Sequence, residues 1–219
     1  MEIDVTKNME TFKSICHEKI KREGIDKLIS DLEASTDFFN APASSRFHLS
    51  CPGGLVQHSL NVYNCLIAKR QSPFWKNILE NISDETLALV ALFHDLCKAN
   101  TYIQSTRNVK TYDPDDVAAA KADGQYPKQD SQGTFVWKTV PTYETDEKLP
   151  YGHGEKSVIL LQQYLKLNKH EIYAIRWHMG FSEPSENYRY LNAAIKNEPL
   201  IVAIHEADME ASNIMEIDS

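Results

Sequence analysis

Apolar side chains recur every three or four residues along most of the chain, which is the spacing of an amphipathic helix. The first such stretch covers residues 7–22 and ends before Gly24, a residue type that favours helix ends. A second, shorter stretch follows at once. The apolar positions of the two stretches are Met9, Phe12, Ile15, Cys16, Ile20, Ile25, Leu28, Ile29 and Leu32. Residues 1–45 are therefore predicted to form an N-terminal helical extension.

Helical spacing returns after a loop predicted at residues 35–52, which are rich in Ser, Pro and Asn. Residues 53–70 predict one helix. Another helix is predicted after Ser83, a favourable N-cap residue, and runs through the sequence ETLALVALFHDLCKA. Because that sequence is apolar nearly all round, the helix is expected to be buried.

The second half of the chain predicts three further helical regions. Two of them lie at residues 153–167 and 169–180. The last region begins near Tyr188 and restarts at Pro199, since proline is tolerated in the first turn of a helix but not in its interior.

Residues 100–150 interrupt the helical pattern. They are polar, contain Pro and Gly, and include FVWKTV followed by TYET, which together predict a small β-hairpin with Pro141 near its turn. The predicted fold class is thus all-α, a helical bundle in a single domain over residues 1–219 with a β-hairpin insertion.

Charge and composition narrow the function classes. The formal net charge is −8. This charge disfavours non-specific binding of nucleic acid, because such binding needs a basic surface. No stretch approaches the ~20 apolar residues that span a bilayer, and the N-terminal residues lack the pattern of a secretory signal. The four cysteines show no CxxC spacing and fit reduced thiols. We therefore expect a cytoplasmic protein with no membrane partner and no extended nucleic-acid partner.

The first candidate for a metal-binding pair is His94 and Asp95, which interrupt the most apolar predicted helix. A buried carboxylate is costly without a partner, and a metal ion is one good partner. Neutral imidazole and carboxylate oxygen are standard ligands of Zn, Mn and Fe. If the pair stood alone, a capping Asp beside a core His would explain it better.

The pair does not stand alone, because other ligand-type residues lie in segments that otherwise look like core. These residues are His58, His153, His178 and Asp208. Together with His94 and Asp95 they occupy five helical segments. Side chains so distributed can converge at the centre of a bundle, as carboxylate and His residues do in di-metal helical proteins.

The order H…HD…H…H…D resembles that of the HD superfamily of metal-dependent phosphohydrolases. The local strings GGLVQHSLNV, LFHDLCK, YGHGEKS, RWHMG and HEADMEAS look like the ligand-bearing segments of its two-metal members. The resemblance covers roughly residues 45–212. The ordering is similar to that of the HD-containing 3′→5′ exoribonucleases and of the HD-GYP cyclic dinucleotide phosphodiesterases.

The resemblance implies a bundle that binds two divalent metal ions. The implied ligands are His58, His94, Asp95 and Asp208 for one ion and His153 and His178 for the other, with Asp95 bridging the two. The expected ions are Mn, Fe or Zn, with Mg, Ni or Co as alternatives. A water that bridges two such ions would attack a phosphoryl group in line, so the implied activity is hydrolysis of a phosphoester.

Two further residues are candidates for contact with substrate. Lys98 follows His94 by four positions and would share its helical face. In the resembled family such a Lys approaches the substrate phosphate, which would make Asp95 and Lys98 catalytic residues; a surface salt bridge is the alternative for Lys98. His48, in the loop before the first ligand helix, would bind substrate. His205 would either orient a metal ligand or simply pack.

The chain departs from the resembled families in ways that indicate a small substrate. Cys97 stands where the family often has Gly before the Lys, and no GYP motif follows the HD pair. Residues 1–45 are too short and too helical for the OB-type domain of the exoribonucleases. We therefore expect a phosphohydrolase that acts on a nucleotide or another small phosphorylated molecule. A homodimer is left open.

Two other functions are compatible with the same residues. Some proteins of HD fold resemble di-iron oxygenases that act on small molecules, and the predicted ligands also suit iron. Iron content and oxygen dependence would distinguish this alternative. The other is a non-catalytic module that binds metal or nucleotide. A site that had lost its catalytic activity would have no reason to keep all six ligand residues together with Lys98. The non-catalytic module is therefore the weaker alternative.

Overall fold

Most of the observed elements are the helices that the apolar spacing predicts. The structure, a computed structural model, describes residues 3–217. Within that range the helices are α1 (Val5–Lys19), α2 (Ile25–Ser35), α3 (Gly54–Gln71), α4 (Pro73–Ile78), α5 (Asp84–Phe93), α6 (Pro114–Ala122), α7 (His153–Leu161), α8 (Lys169–Trp177), α9 (Tyr188–Asn197) and α10 (Leu200–Glu210). The strands are β1 (Tyr102–Thr111), β2 (Lys128–Asp130) and β3 (Gly133–Thr145). The chain is thus mostly helical, and the all-α prediction holds only in part because the strands form a small antiparallel sheet.

Contacts along the backbone divide the chain into two units. The sheet unit comprises Ile103–Glu144, inside the predicted insertion of residues 100–150, and the helical unit comprises the rest. Where the chain leaves and re-enters the helical unit, the backbone N–H of Asp146 donates to the carbonyl of Thr101 at 2.8 Å. Over residues 3–217, no helix is both long and apolar enough to cross a membrane.

The helical unit is built around α5, as the apolar character of that helix predicts. Every residue from Thr86 to Phe93 is buried, and α3 packs against both α5 and α10. Ser83 caps α5 by accepting a hydrogen bond from the backbone N–H of Thr86, which confirms the predicted N-cap. The ring of Phe93 meets that of Phe12 edge to face at 5.3 Å, so α1 packs onto the same core.

α5 ends earlier than the sequence predicts. The helix stops at Phe93 instead of continuing past Lys98, and a single 3₁₀ turn over Leu96–Lys98 follows. In a continued helix the N–H of Asp95 would bond to the carbonyl of Ala91. That carbonyl instead accepts from Nδ1 of His94 at 2.8 Å, and a side chain that competes in this way favours the end of a helix.

A buried ion pair connects the segment between α1 and α2 to α8. Glu171 in α8 is fully buried, and its carboxylate accepts hydrogen bonds from Arg22 at 2.6 and 2.7 Å and from Thr86 at 2.9 Å. Glu171 also completes a capping box with Asn168 at the start of α8. Burial favours a raised pKa, but these donors hold the pKa of Glu171 below its ordinary value. The carboxylate is therefore charged inside the core.

The sheet unit has the strand order β1-β3-β2. β2 runs antiparallel to β3, with Lys128 opposite Phe135. Helix α6, which the sequence did not predict, supplies part of a small apolar cluster. The members of that cluster are Val117, Ala120 and Val136.

The predicted β-hairpin is wrong in the position of its turn. FVWKTV and TYET belong to one continuous strand, β3, and Pro141 lies inside it. The turn lies at residues 131–132, between β2 and β3. β2 pairs with residues 133–135 of β3, so Pro141 lies beyond that pairing. Because β2 ends before this position, Pro141 removes no hydrogen bond from the β2–β3 ladder.

Candidate metal centre

The predicted ligands come together in the helical unit from five different elements. The contributors are His58 of α3, His94 and Asp95 directly after α5, His153 at the start of α7, His178 directly after α8, and Asp208 of α10. Residues far apart in sequence thus meet at one place. The meeting point is mostly buried, as the apolar surroundings of each ligand predict.

Asp95 lies at the middle of this cluster, and its two carboxylate oxygens face different histidines. Oδ2 is 3.6 Å from Nε2 of His58 and 3.5 Å from Nε2 of His94. Oδ1 is 2.7 Å from Nε2 of His153 and 3.4 Å from Nε2 of His178. The carboxylate therefore divides the four rings into two pairs.

Asp208 adds a second carboxylate to the cluster. Its Oδ1 lies 3.2 Å from Nε2 of His58. Among the described residues, four groups of side chains each have ligand atoms within 4.8 Å of one another. The groups are His58, His94 and Asp95; His94, His178 and Asp208; Asp95, His153 and His178; and, at the edge of the cluster, His48, His58 and Glu216. This spacing suits shared coordination of metal ions by neighbouring groups.

Unpartnered imidazole nitrogens provide the test of whether these residues fit a metal ion. Nε2 of His58, His94 and His178 is buried and has no hydrogen-bond partner among the described residues. Nδ1 of His94 donates to the carbonyl of Ala91 at 2.8 Å, and Nδ1 of His178 donates to that of Ile175 at 2.7 Å. These bonds place the proton on Nδ1 and leave a lone pair on Nε2. A buried polar atom without a partner is costly, and a cation would satisfy all of them.

The charge states of His94, Asp95 and Asp208 also suit a cation. Burial lowers the pKa of His94 to about 4, so the ring is neutral. Burial alone would raise the pKa of Asp95, but the charge of Lys98 and the hydrogen bond with His153 hold it well below its ordinary value. Burial would raise the pKa of Asp208, but its contact with the ring of His58 lowers it. Burial would lower the pKa of His58, but Asp208 and Glu216 raise it to about 9, and Asp95 likewise raises that of His178, so a cation would displace protons from these two rings. Neutral imidazole and ionised carboxylate are the forms that bind metal.

Lys98 lies beside the cluster, although it occupies a 3₁₀ turn and not the predicted continuation of α5. Its ammonium group is 2.6 Å from Oδ2 of Asp95, and its side chain is 13% exposed. Burial would lower the pKa of Lys98, but Asp95 raises it, so the group is charged. The salt bridge considered from the sequence is therefore present, and it lies inside the candidate site and not on the surface.

The loop before α3 brings His48 to the edge of the cluster. The ring of His48 lies 5.0 Å from that of His58. A Cβ atom on Gly54 would lie 2.1 Å from the carbonyl oxygen of Leu49, so only glycine allows the loop to approach the start of α3 this closely. The GG sequence thus explains the position of His48.

Glu216 is the site residue that the sequence did not predict. Both of its carboxylate oxygens lie 3.1 Å from Nδ1 of His58, and one accepts from Nδ2 of Asn61 at 2.8 Å. Glu216 is 2% exposed. It follows a π-helical turn, Ala211–Met215, after α10. Apolar periodicity gives no signal in that turn; the nearest clue was Asn61, one helical turn after His58.

Two neighbours of the cluster contact ligand residues from outside. Nδ1 of His205 donates to the backbone carbonyl of His178 at 2.8 Å, so His205 supports the segment that carries a ligand. Sγ of Cys97 lies 3.3 Å from Nδ1 of His153. Burial raises the pKa of Cys97 to about 12, so it is a neutral thiol.

Comparison with protein-family models, with curated proteins and with solved structures finds no match for this chain. The arrangement of the residues alone therefore indicates a candidate metal centre. Their geometry is compatible with a metal site of the HD type.

Replacing Glu216 is expected to weaken metal binding without unfolding the protein. A carboxylate behind a ligand imidazole fixes its tautomer and raises its basicity, and loss of such a group costs about 10- to 100-fold in metal affinity. We therefore expect Glu216→Gln to bind Mn²⁺ or Zn²⁺ about 10- to 100-fold more weakly in competition with a chelator. Glu210→Gln, which changes a carboxylate that pairs with Lys69, is the control and should leave affinity unchanged. Equal affinities in the two variants would contradict this role.

Proposed function

We propose that the protein is a metal-dependent phosphohydrolase of the HD type that cleaves a small phosphoester. One observation carries the proposal: a buried carboxylate, Asp95, lies between two pairs of histidines, three of which have an unpartnered Nε2 atom. A packed core that uses histidine only for shape would not leave three buried nitrogens without partners.

The residues sort into two sets that would hold two divalent ions of Mn, Fe or Zn. The first set is His58, His94, Asp95 and Asp208, and the second is His153 and His178 together with Asp95. When bound, such ions polarise a phosphoryl oxygen and lower the pKa of water. The paired division of rings around Asp95 is the feature that favours two ions over one.

The chain's own residues would bind and orient the phosphoester. The charged ammonium of Lys98 is close enough to the cluster to donate to a phosphoryl oxygen while it keeps its contact with Asp95. In hydrolysis the oxygen of a water molecule bonds to phosphorus, and the ester P–O bond breaks. The attacking water loses a proton, and the departing oxygen takes one up. The reaction consumes one water molecule and needs no oxidant or reductant.

The electrostatics of the chain favour a small substrate over a long strand. Its formal net charge is −8, and a strand of nucleic acid would need a basic surface along its path. The charge of Lys98, together with bound cations, would instead offer a local positive site for a single phosphoryl group.

Metal analysis and a phosphoester panel test the proposal together. We expect the purified protein to hold about two Mn, Zn or Fe ions per chain and to release phosphate from a panel of nucleotides and sugar phosphates. Iron as the main metal, with oxygen consumed and no phosphate released, would favour the di-iron oxygenase alternative. Absence of metal after reconstitution with each of these ions would contradict the proposal.

Replacing Lys98 tests its contact with the phosphate. A charged hydrogen bond contributes about 1.5–3 kcal/mol, so we expect Lys98→Ala to lower kcat/KM about 10- to 100-fold. Metal content should remain unchanged, because Lys98 is not a ligand. Lys27→Ala removes a lysine from an exposed pair with Asp31 and serves as the control. Unchanged turnover and KM in Lys98→Ala would show that this lysine is only an ion partner of Asp95.

A further inference from the structure

A cavity of about 430 Å³ lies next to the candidate metal centre. Its lining residues are Phe47, His48, Ser212, Asn213, Glu216 and Ile217. Two of these residues contact the cluster directly: the ring of His48 lies 5.0 Å from that of His58, and Glu216 accepts from Nδ1 of His58 at 3.1 Å. The cavity therefore shares His48 and Glu216 with the surroundings of His58, one of the candidate ligands. Its volume falls within the range of small-molecule pockets, about 300–1,000 Å³.

The rim of this cavity exposes large apolar side chains to solvent. Phe47 is 69% exposed and Ile217 is 68% exposed. The guanidinium of Arg46 lies 5.2 Å from the centre of the Phe47 ring, so the rim combines a positive charge with an exposed aromatic side chain. Exposed apolar surface that rims a cavity is typical of a ligand site. A flat aromatic group is the ligand that would cover Phe47 best.

The polar groups of the cavity favour a neutral ligand that donates hydrogen bonds. The Nδ2 group of Asn213 donates to the carbonyl of Met209 at 3.1 Å and to Oγ of Ser212 at 2.9 Å. These bonds use the amide donors of Asn213 and leave its Oδ1 atom as an acceptor. Glu216 places a carboxylate in the wall. A phosphate would be repelled here, whereas N–H and O–H groups would be bound. Nε2 of His48 is buried and has no hydrogen-bond partner among residues 3–217.

We infer that this cavity binds the nucleoside part of the substrate, with the base against Phe47. The inference rests on the proposed function, since it takes the reacting phosphate to lie beside Lys98. A nucleoside combines the planar face, the N–H donors and the hydroxyl groups that the cavity would recognise. A sugar phosphate without a base would leave Phe47 uncovered. After hydrolysis the nucleoside leaves as the free alcohol, because its ester oxygen keeps its bond to carbon and takes up a proton.

Binding of nucleosides that carry no phosphate tests this inference apart from catalysis. The full chain is titrated with adenosine, guanosine, cytidine and uridine, and with ribose, and binding is followed by saturation-transfer NMR. We expect at least one nucleoside to bind and ribose not to bind. Phe47→Ala should weaken nucleoside binding about 10-fold or more, because it removes a stacking surface. Phe74→Ala, which removes a phenylalanine that is 71% exposed on α4, is the matched control and should bind normally.

The outcomes separate the cavity from the proposed function. Failure of all four nucleosides to bind, or equal binding by Phe47→Ala and the wild type, would overturn the inference even if phosphoesters are hydrolysed. Since both substituted rings are exposed, the two variants are expected to fold, and thermal unfolding checks that they do. Loss of nucleoside binding in Phe47→Ala alone would support the cavity even before a phosphoester is found. The phosphoester panel judges the proposed function separately.

Discussion

Replacing Asp95 with Asn is expected to remove metal binding and to lower turnover at least about 10³-fold, because bound ions contribute several kcal/mol to such reactions. Oδ1 of Asp95 faces His153 and His178, and Oδ2 faces His58 and His94. An amide carries no charge and offers one oxygen, so it cannot bind on both sides. Elemental analysis and phosphate release from the reconstituted protein measure the two effects.

A control variant separates loss of the centre from loss of the fold. Asp146→Asn changes a carboxylate that pairs with Lys148 outside the cluster, and it should keep both metal and activity. The metal-free Asp95→Asn protein should still unfold cooperatively when it is heated. Full metal content in folded Asp95→Asn would show that Asp95 is not a ligand and would contradict the proposed centre.

The second large effect is expected on stability, from Arg22→Met. This change removes the guanidinium that donates twice to Glu171, at 2.6 and 2.7 Å, and leaves the buried carboxylate with Thr86 and Asn168 as donors. Removing one partner of a buried ion pair lowers the free energy of unfolding by about 3–5 kcal/mol. Because Thr86 and Asn168 still donate to Glu171, we expect the free energy of unfolding to fall by about 3 kcal/mol, the lower end of that range. Urea denaturation measures this loss.

The dependence of stability on pH in the acidic range provides a second test of the Arg22–Glu171 ion pair. The pKa of Glu171 is lowered in the folded protein, so its contribution is present above the pKa of the unfolded chain and is lost as pH falls toward the folded value. In Arg22→Met that pKa rises, and stability should begin to fall at a higher pH. A double variant with Glu171→Gln should recover part of the loss. Lys27→Met, at an exposed ion pair, should change the free energy of unfolding little. An equal loss in Lys27→Met and Arg22→Met would contradict the argument.

Polar residues inside apolar helices carried most of the information about the site. His58, His94 and Asp95 were recognisable because a charge or an imidazole interrupts segments that otherwise pack in the core. Local sequence alone thus identifies a carboxylate, that of Asp95, which the fold places within 3.6 Å of the imidazoles of His58 and His94. The convergence itself was not derivable from periodicity, and it entered through the resemblance to a known order of ligands.

The features that the sequence did not predict depend on competition between contacts. α5 ends at Phe93 because the side chain of His94 takes a backbone acceptor, and apolar periodicity cannot report such a bond. Glu216 lies after a π-helical turn, beyond the last periodic segment. Pro141 was taken as a sign of a turn, but it lies inside β3, beyond the residues that pair with β2, and the extent of that pairing is not readable from the residues around Pro141.

The hydrogen bond between Asp146 and Thr101 makes the two attachment points of the sheet unit close neighbours in space. Adjacent ends of this kind are where chains accept the gain or loss of a whole segment, because the flanking backbone need not move. A longer or shorter segment in place of residues 103–144 would therefore leave the two ends of the helical unit where they are. Related chains of quite different length would then share the same helical unit.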